Sequence, residues 1–303
     1  MPSFNKPALT ITQQVELLRS RGLIIPDTSK AEHYLRHISY YRLSAYALPF
    51  QVDANHTFGI GITFDQILNL YIFDRSLRVH LFDAIERIEV SLRAAIILQM
   101  SISHGSHWHE DPKHFKLIEV YEKLRDQIAG TCHPDTKQKE VFIKHYLKTY
   151  DNPPMPPCWM CFETLTMGSL SKIYTALQDM EDRRVIARQF LLPENVFGSW
   201  LHAITYIRNI CAHHSRLWNR ELSIAPISLS QPVQYRGDWI SQPYPQRARM
   251  YYALCCITYL MQRINPKGTF TQRTKDLMNE FRGVPLTSMG FQAGWEEQPL
   301  WKH

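Results

Sequence analysis

Ile207-Arg208-Asn209-Ile210-Cys211-Ala212-His213-His214-Ser215-Arg216-Leu217-Trp218-Asn219-Arg220 closes a long apolar pattern that opens at Pro193. Phe197, Trp200, Ile204, Ile207, Cys211, His214 and Trp218 recur three and four apart, the period of one buried helix face. Proline suits a first helical turn because its missing N–H leaves nothing unsatisfied there, and Glu194 follows near the positive end of the helix dipole. The pattern predicts one helix over 193–220. A second stripe on it carries Asn209, His213, Arg216 and Arg220. Asn209 and His213 are four apart, which puts the amide in reach of the imidazole. Arg208 lies about 140° from His213 on an ideal helix. It reaches round with its long side chain, pairs with a neighbouring helix, or meets the His213 of a second chain. An imidazole that moves a proton and a guanidinium that holds charge on phosphate oxygens suit work on a phosphodiester, with no metal required. A merely solvated helix face has the same composition, and the spacing is short for a motif.

The chain has 303 residues, 45% of them hydrophobic, enough for one large core or two small ones. Lys+Arg 34 against Asp+Glu 28 gives a net charge of +6, which permits a polyanionic partner without demanding one. No apolar run approaches the roughly 18 residues of a membrane-spanning helix, and there is no signal-peptide pattern. The six cysteines are Cys132, Cys158, Cys161, Cys211, Cys255 and Cys256. Cys158-Trp-Met-Cys161 lacks the second ligand pair a zinc site needs, and reads as two thiols at the start of a helix. His104, His107, His109 and His114 cluster irregularly in a loop-like segment, which again is poor metal spacing. The expectation is a reduced, cytoplasmic protein with no membrane attachment, metal or cofactor.

Along the chain, Thr10-Ile-Thr-Gln13, Ser29-Lys-Ala-Glu32 and Thr63-Phe-Asp-Gln66 are capping-box patterns, and Gly22 is a helix stop. Ile38 to Tyr46 is dense in tyrosine around Arg42; it reads as an aromatic core layer or as a stacking surface for unpaired bases. The strongest helical segment runs from 63 to about 100, with Leu81, Ile85, Ile88, Leu92 and Ala95 as its core stripe. Its polar face pairs Asp74 with Arg78, Asp83 with Arg87 and Glu89 with Arg93, each acid four residues before its base. A bend is expected near 74–78. Glu86, Glu89 and Arg93 are placed to face the 193–220 helix and to hold Arg208 or His213.

Further pieces follow at 115–128, 137–150, 162–177 and 181–191, with the stiff connector Asn152-Pro-Pro-Met-Pro-Pro157 among them. Residues 222–235 alternate loosely and suggest a short hairpin or an extended wrap. Helices at 245–264 and 271–281 end the chain, with Trp295 and Trp301 packing back. The fold class is all-α, a helical bundle built around two long antiparallel helices with extra N- and C-terminal helices. Residues 1–60 form an N-terminal helical segment packed on a helical domain over 61–303.

Several blocks carry a family resemblance in order. They are Tyr40-Tyr41-Arg42-Leu43-Ser44-Ala45-Tyr46, Leu70-Tyr71-Ile72-Phe73-Asp74-Arg75-Ser76-Leu77-Arg78 and Ile85-Glu86-Arg87-Ile88-Glu89-Val90-Ser91-Leu92-Arg93, then Glu163-Thr164-Leu165-Thr166-Met167-Gly168-Ser169-Leu170-Ser171 and Arg208 through Asn219. From about residue 6 onward the chain resembles the Abi proteins of bacterial phage defence, the AbiD/AbiF-like abortive-infection group of the HEPN superfamily. That resemblance implies a metal-independent endoribonuclease of toxin type, in which Arg208, Asn209 and His213 match the Arg, polar residue and His of the family motif. It implies a homodimer whose two motifs line one cleft. The implied reaction is attack of a ribose 2′-OH on the scissile phosphate, leaving a 2′,3′-cyclic phosphate and a 5′-OH. In it Arg208 binds the phosphate, His213 shuttles protons and Asn209 orients His213. Glu86, Glu89, Arg93, His214 and Arg216 are supporting residues, and Arg216, Arg220 and Arg42 contact RNA. An antitoxin or a regulatory RNA is the implied partner that spares the host.

Two other readings use the same residues. A non-catalytic RNA-binding or sensor protein on this scaffold binds RNA in a salt-sensitive way and yields no product. A purely structural partner protein engages Arg208 and His213 in ion pairs and has no affinity for RNA.

Overall fold

The computed structural model describes residues 3, 7–133, 135, 136, 139–229, 239–241 and 244–302. Its α-helices are α1 (Ile11–Ser20), α2 (Thr28–Ile38), α3 (Tyr40–Ala47), α4 (Phe64–His104), α5 (Ile118–Cys132) and α6 (Val141–Thr149), then α7 (Cys158–Cys161), α8 (Met167–Ala176), α9 (Met180–Arg188), α10 (Glu194–Ala212), α11 (Met250–Ile264) and α12 (Phe270–Glu280). Among the described residues only isolated β-bridges occur, and the architecture is an all-α bundle. No described helix is long and apolar enough to cross a membrane. The chain divides into two compact units, Met1–Arg78 with Leu277–Pro285 and Val79–Asp276 with Leu286–His303. Of the alternating stretch expected at 222–235, residues 222–229 form no strand, and 230–235 lie outside the described residues.

Local signals start the helices of the first unit. Thr10 and Gln13 bond each other's backbone N–H at 2.8 and 3.2 Å, and Thr63 and Gln66 repeat the exchange at 2.8 and 3.3 Å. The third expected box does not form. Asp27, two residues earlier, caps α2 by accepting from the Lys30 N–H at 2.9 Å. Gly22 ends α1 with φ +88°, a conformation that side chains disfavour.

α4 runs from Phe64 to His104 as one continuous helix. All three of its acid–base pairs form, but the 74–93 face is not uniformly solvated. Asp74 and Arg78 are buried together, and the Tyr46 hydroxyl donates to Asp74 at 2.6 Å. Burial, then the Asp74 carboxylate, pushes the Tyr46 phenol pKa up and keeps it neutral. Arg93 is buried too, donating to the Phe162 and Leu165 carbonyls at 3.0 Å each and to Glu89 at 3.0 Å. It pins the turn that leads into α8.

In the second unit α10 packs against α8, α9 and α11. Helices approach closely where a small residue removes the side-chain spacer. A Cβ on Gly198 would lie 3.2 Å from Thr175 and 3.4 Å from Tyr174 of α8, and one on Gly168 would lie 3.6 Å from Thr205. α11 is buried from Met250 to Met261. The tail closes on it as expected, for Trp301 stacks on Tyr251 and donates its indole N–H to that hydroxyl at 3.2 Å.

Two substitutions test these contacts. Arg78→Ala removes the counter-charge of a buried Asp74 and is expected to cost roughly 3–5 kcal/mol in urea unfolding. Gly198→Leu forces α8 and α10 apart and is expected to cost about 1–3 kcal/mol. Melting temperatures within a degree of the parent protein would refute either account.

Candidate functional site

α10 ends at Ala212, eight residues before the pattern that predicts it stops. The reason is a C-terminal reversal without glycine. His213 is the cap, and its N–H bonds the Asn209 carbonyl at 3.0 Å. His214 takes the left-handed conformation at φ 54°. Its N–H bonds the Cys211 carbonyl at 3.1 Å, and the Ser215 N–H bonds the Ile210 carbonyl at 3.0 Å. That pair of bonds is a Schellman motif, which satisfies carbonyls the last turn would otherwise leave open. The chain then turns inward, and Leu217 and Trp218 become buried.

This corrects the expected single stripe of Asn209, His213, Arg216 and Arg220. Asn209 and His213 stand exposed at the end of α10, whereas Arg216 and Arg220 belong to the reversal. There the Arg220 Nε donates to the Arg216 carbonyl at 2.7 Å. His214 is exposed and does not join the buried face. Asn209 and His213 are linked only through the backbone: among the described residues, no hydrogen bond joins amide to imidazole. Both side chains reach into solvent, where nothing enforces the contact.

Arg208 finds its partner on α4. Its guanidinium carbon sits 5.6 Å from the centroid of the Phe82 ring, which is 40% exposed. A cation over an aromatic face is attracted by the ring quadrupole. Of the placements open to Arg208 within one chain, the neighbouring helix is the one observed. Phe82 was not among the expected site residues. Its signal was an aromatic residue on the charged side of α4, one turn before Glu86. Glu86 is exposed on that face. Glu89 and Arg93 are corrected: they serve the Phe162–Leu165 turn and not Arg208 or His213, because Arg93 satisfies two buried carbonyls there.

Tyr206 joins the surroundings of the site. The Ser223 hydroxyl, and after it the Arg220 guanidinium, hold its phenol pKa below the usual value. The reversal thus folds residues 220–223 back beside α10. Arg42 lies in the first unit, on α3.

The histidine cluster resolves into separate roles. His104 pairs with the buried Asp182 at 2.7 Å, and His107 meets the Met155 carbonyl at 2.9 Å. Burial, and then His107, lowers the His109 pKa to about 4 and keeps its ring neutral. Cys158 and Cys161 bound the short α7 as buried free thiols.

A family model described as Abi-like protein matches residues 33–219, more than half of the chain. The chain belongs to the Abi-like family. The matched region of this Abi-like protein closes at Asn219 and so contains α10, its reversal and Phe82. No curated protein and no solved structure matches it.

A left-handed backbone is costly for a branched side chain. His214→Val is therefore expected to be about 1–2 kcal/mol less stable than His214→Gly. Equal melting temperatures for the two variants would show that His214 is not held in this conformation in solution.

Proposed function

We propose that this Abi-like protein is a metal-independent endoribonuclease of the abortive-infection type, of the AbiD/AbiF-like group and the HEPN superfamily. The observation that carries the reading is the end of α10. A half-exposed Arg208 and an exposed Asn209 and His213 are presented there to solvent within a turn and a half of chain. In this reading the ribose 2′-OH attacks phosphorus, the P–O5′ bond breaks, and a 2′,3′-cyclic phosphate is left. His213 relays the proton lost by the 2′-OH to the departing 5′-oxygen. Arg208 lifts from Phe82 to stabilise the charge on the non-bridging oxygens. Asn209 positions the imidazole once substrate is bound. Arg216 and Arg220 hold flanking phosphates.

The separate settings of Arg208 and His213 favour a composite site in a homodimer. α4 supports that reading. Val79, Phe82, Val90, Leu98 and Ile102 are exposed on it, apolar side chains that a second copy would cover in part. A toxin of this kind needs restraint in its host, and an antitoxin or a regulatory RNA is the proposed partner.

The deciding experiment incubates purified protein with mixed cellular RNA in EDTA, beside Arg208→Ala and His213→Ala. Wild type is expected to cleave and leave cyclic-phosphate ends, with each variant slower by roughly 100-fold or more. Full cleavage by folded variants sinks the site. Salt-sensitive RNA binding with no product favours the non-catalytic RNA-binding protein instead.

A further inference from the structure

The tyrosine-rich run of α3 does not serve a single purpose. Tyr46 is buried against Asp74 and Arg78 and belongs to the core. Tyr40 and Tyr41 instead border an open groove of about 740 Å³ within the first unit, between α1 and α3. Leu9, Leu17 and Leu48 supply its apolar wall. The Tyr41 ring is 88% exposed, so it contributes almost nothing to the core. Tyr40 is held in place from the side, because Arg21 Nη1 donates to its hydroxyl at 2.7 Å.

The polar groups of the groove narrow the choice of occupant. Gln14, Ser44 and Gln51 line it too, already bonded to the Leu9 carbonyl, the Tyr41 carbonyl and the His56 ring, and Arg21 and His56 are its titratable groups besides the tyrosines. No carboxylate is among the described lining residues. An apolar helix pressed into it would strip water from the Arg21 guanidinium and give its remaining N–H groups no partner. A planar, aromatic ligand with a nearby negative charge suits the exposed tyrosine and the guanidinium. Its face stacks on tyrosine, and its phosphate pairs with Arg21, whose remaining N–H groups are uncommitted among the described residues. Stacking of unpaired bases on exposed aromatic rings beside cations is how single strands are held without regard to sequence.

We propose that the groove between α1 and α3 binds an unpaired base of single-stranded RNA, stacked on Tyr41, with Arg21 on the adjoining phosphate. The inference builds on RNA being the ligand and names the form of RNA taken. A duplex cannot offer a base to this groove, since its bases are stacked on one another.

The test uses the full-length protein carrying His213→Ala, so that bound RNA survives. Its binding to a labelled single-stranded oligoribonucleotide is compared with binding to the same sequence as a duplex, by fluorescence anisotropy. The single strand is expected to bind more tightly. Adding Tyr41→Ala should weaken it about tenfold, Tyr41→Phe should restore it, and the duplex should be indifferent to both. Because Tyr41 is so exposed, the melting temperature should not move. An oligomer containing 4-thiouridine should crosslink at Tyr40 or Tyr41. Single-strand binding unchanged by Tyr41→Ala, preference for the duplex, no binding to RNA, or capture of an apolar peptide would each overturn the proposal. Its failure is separable from that of the ribonuclease reading. Cleavage by wild type with Tyr41-independent binding removes the groove alone, while Tyr41-dependent binding without cleavage removes the nuclease alone.

Discussion

The left-handed backbone at His214, with φ 54°, governs what α10 presents. A helix continuing to Arg220 would carry His214 and Trp218 along its buried face and turn Arg216 and Arg220 outward with Asn209. The Schellman reversal sends the chain back on itself, so that Leu217 and Trp218 fill the core from a loop. The last helical carbonyls are satisfied by the amides of residues 213–215. His213 is thereby left at the rim with its ring unencumbered. Backbone strain of this kind persists where surrounding packing enforces it, and two fully buried residues just beyond the turn provide that enforcement.

Behind the turn stands the packing of α10 against α8. Gly198 and Gly168 let the two helices meet at short range, and the buried face of α10 is continuous from Val196 to Cys211. Arg93 sets the entry to α8 by bonding two carbonyls of the preceding turn. A long α4 side chain thus braces the helix that positions α10, although it touches neither Arg208 nor His213. Positioning of this indirect sort is what makes a solvent-exposed site reproducible.

Much of the bundle was legible from local rules. The apolar stripe of α4, the reciprocal caps at Thr10 and Thr63, the all-buried α11 and the returning tail follow from periodicity and from short-range hydrogen bonding. Burial of charge was not legible. Asp74, Arg78 and Arg93 have the spacing of solvated ion pairs, and only partners distant in sequence, Tyr46, Phe162 and Leu165, turn them into core residues. Asp27 displaced the expected Ser29 cap for a related reason: capping depends on where the backbone leaves the helical region, and several neighbouring residues offer a suitable oxygen.

Of the site, the sequence by itself determined the residue types and their order: Arg208, Asn209 and His213 near the end of an amphipathic helix, within a chain of the Abi-like family. Side-chain period and composition are local properties, and they survive any packing. The tertiary structure alone decided where that helix stops, that Arg208 rests over Phe82, that Arg220 and Ser223 return to Tyr206, and that Tyr46 is core while Tyr41 is surface. Each of these depends on contacts between residues far apart in the chain or on a backbone conformation imposed by them, and no periodicity encodes such contacts.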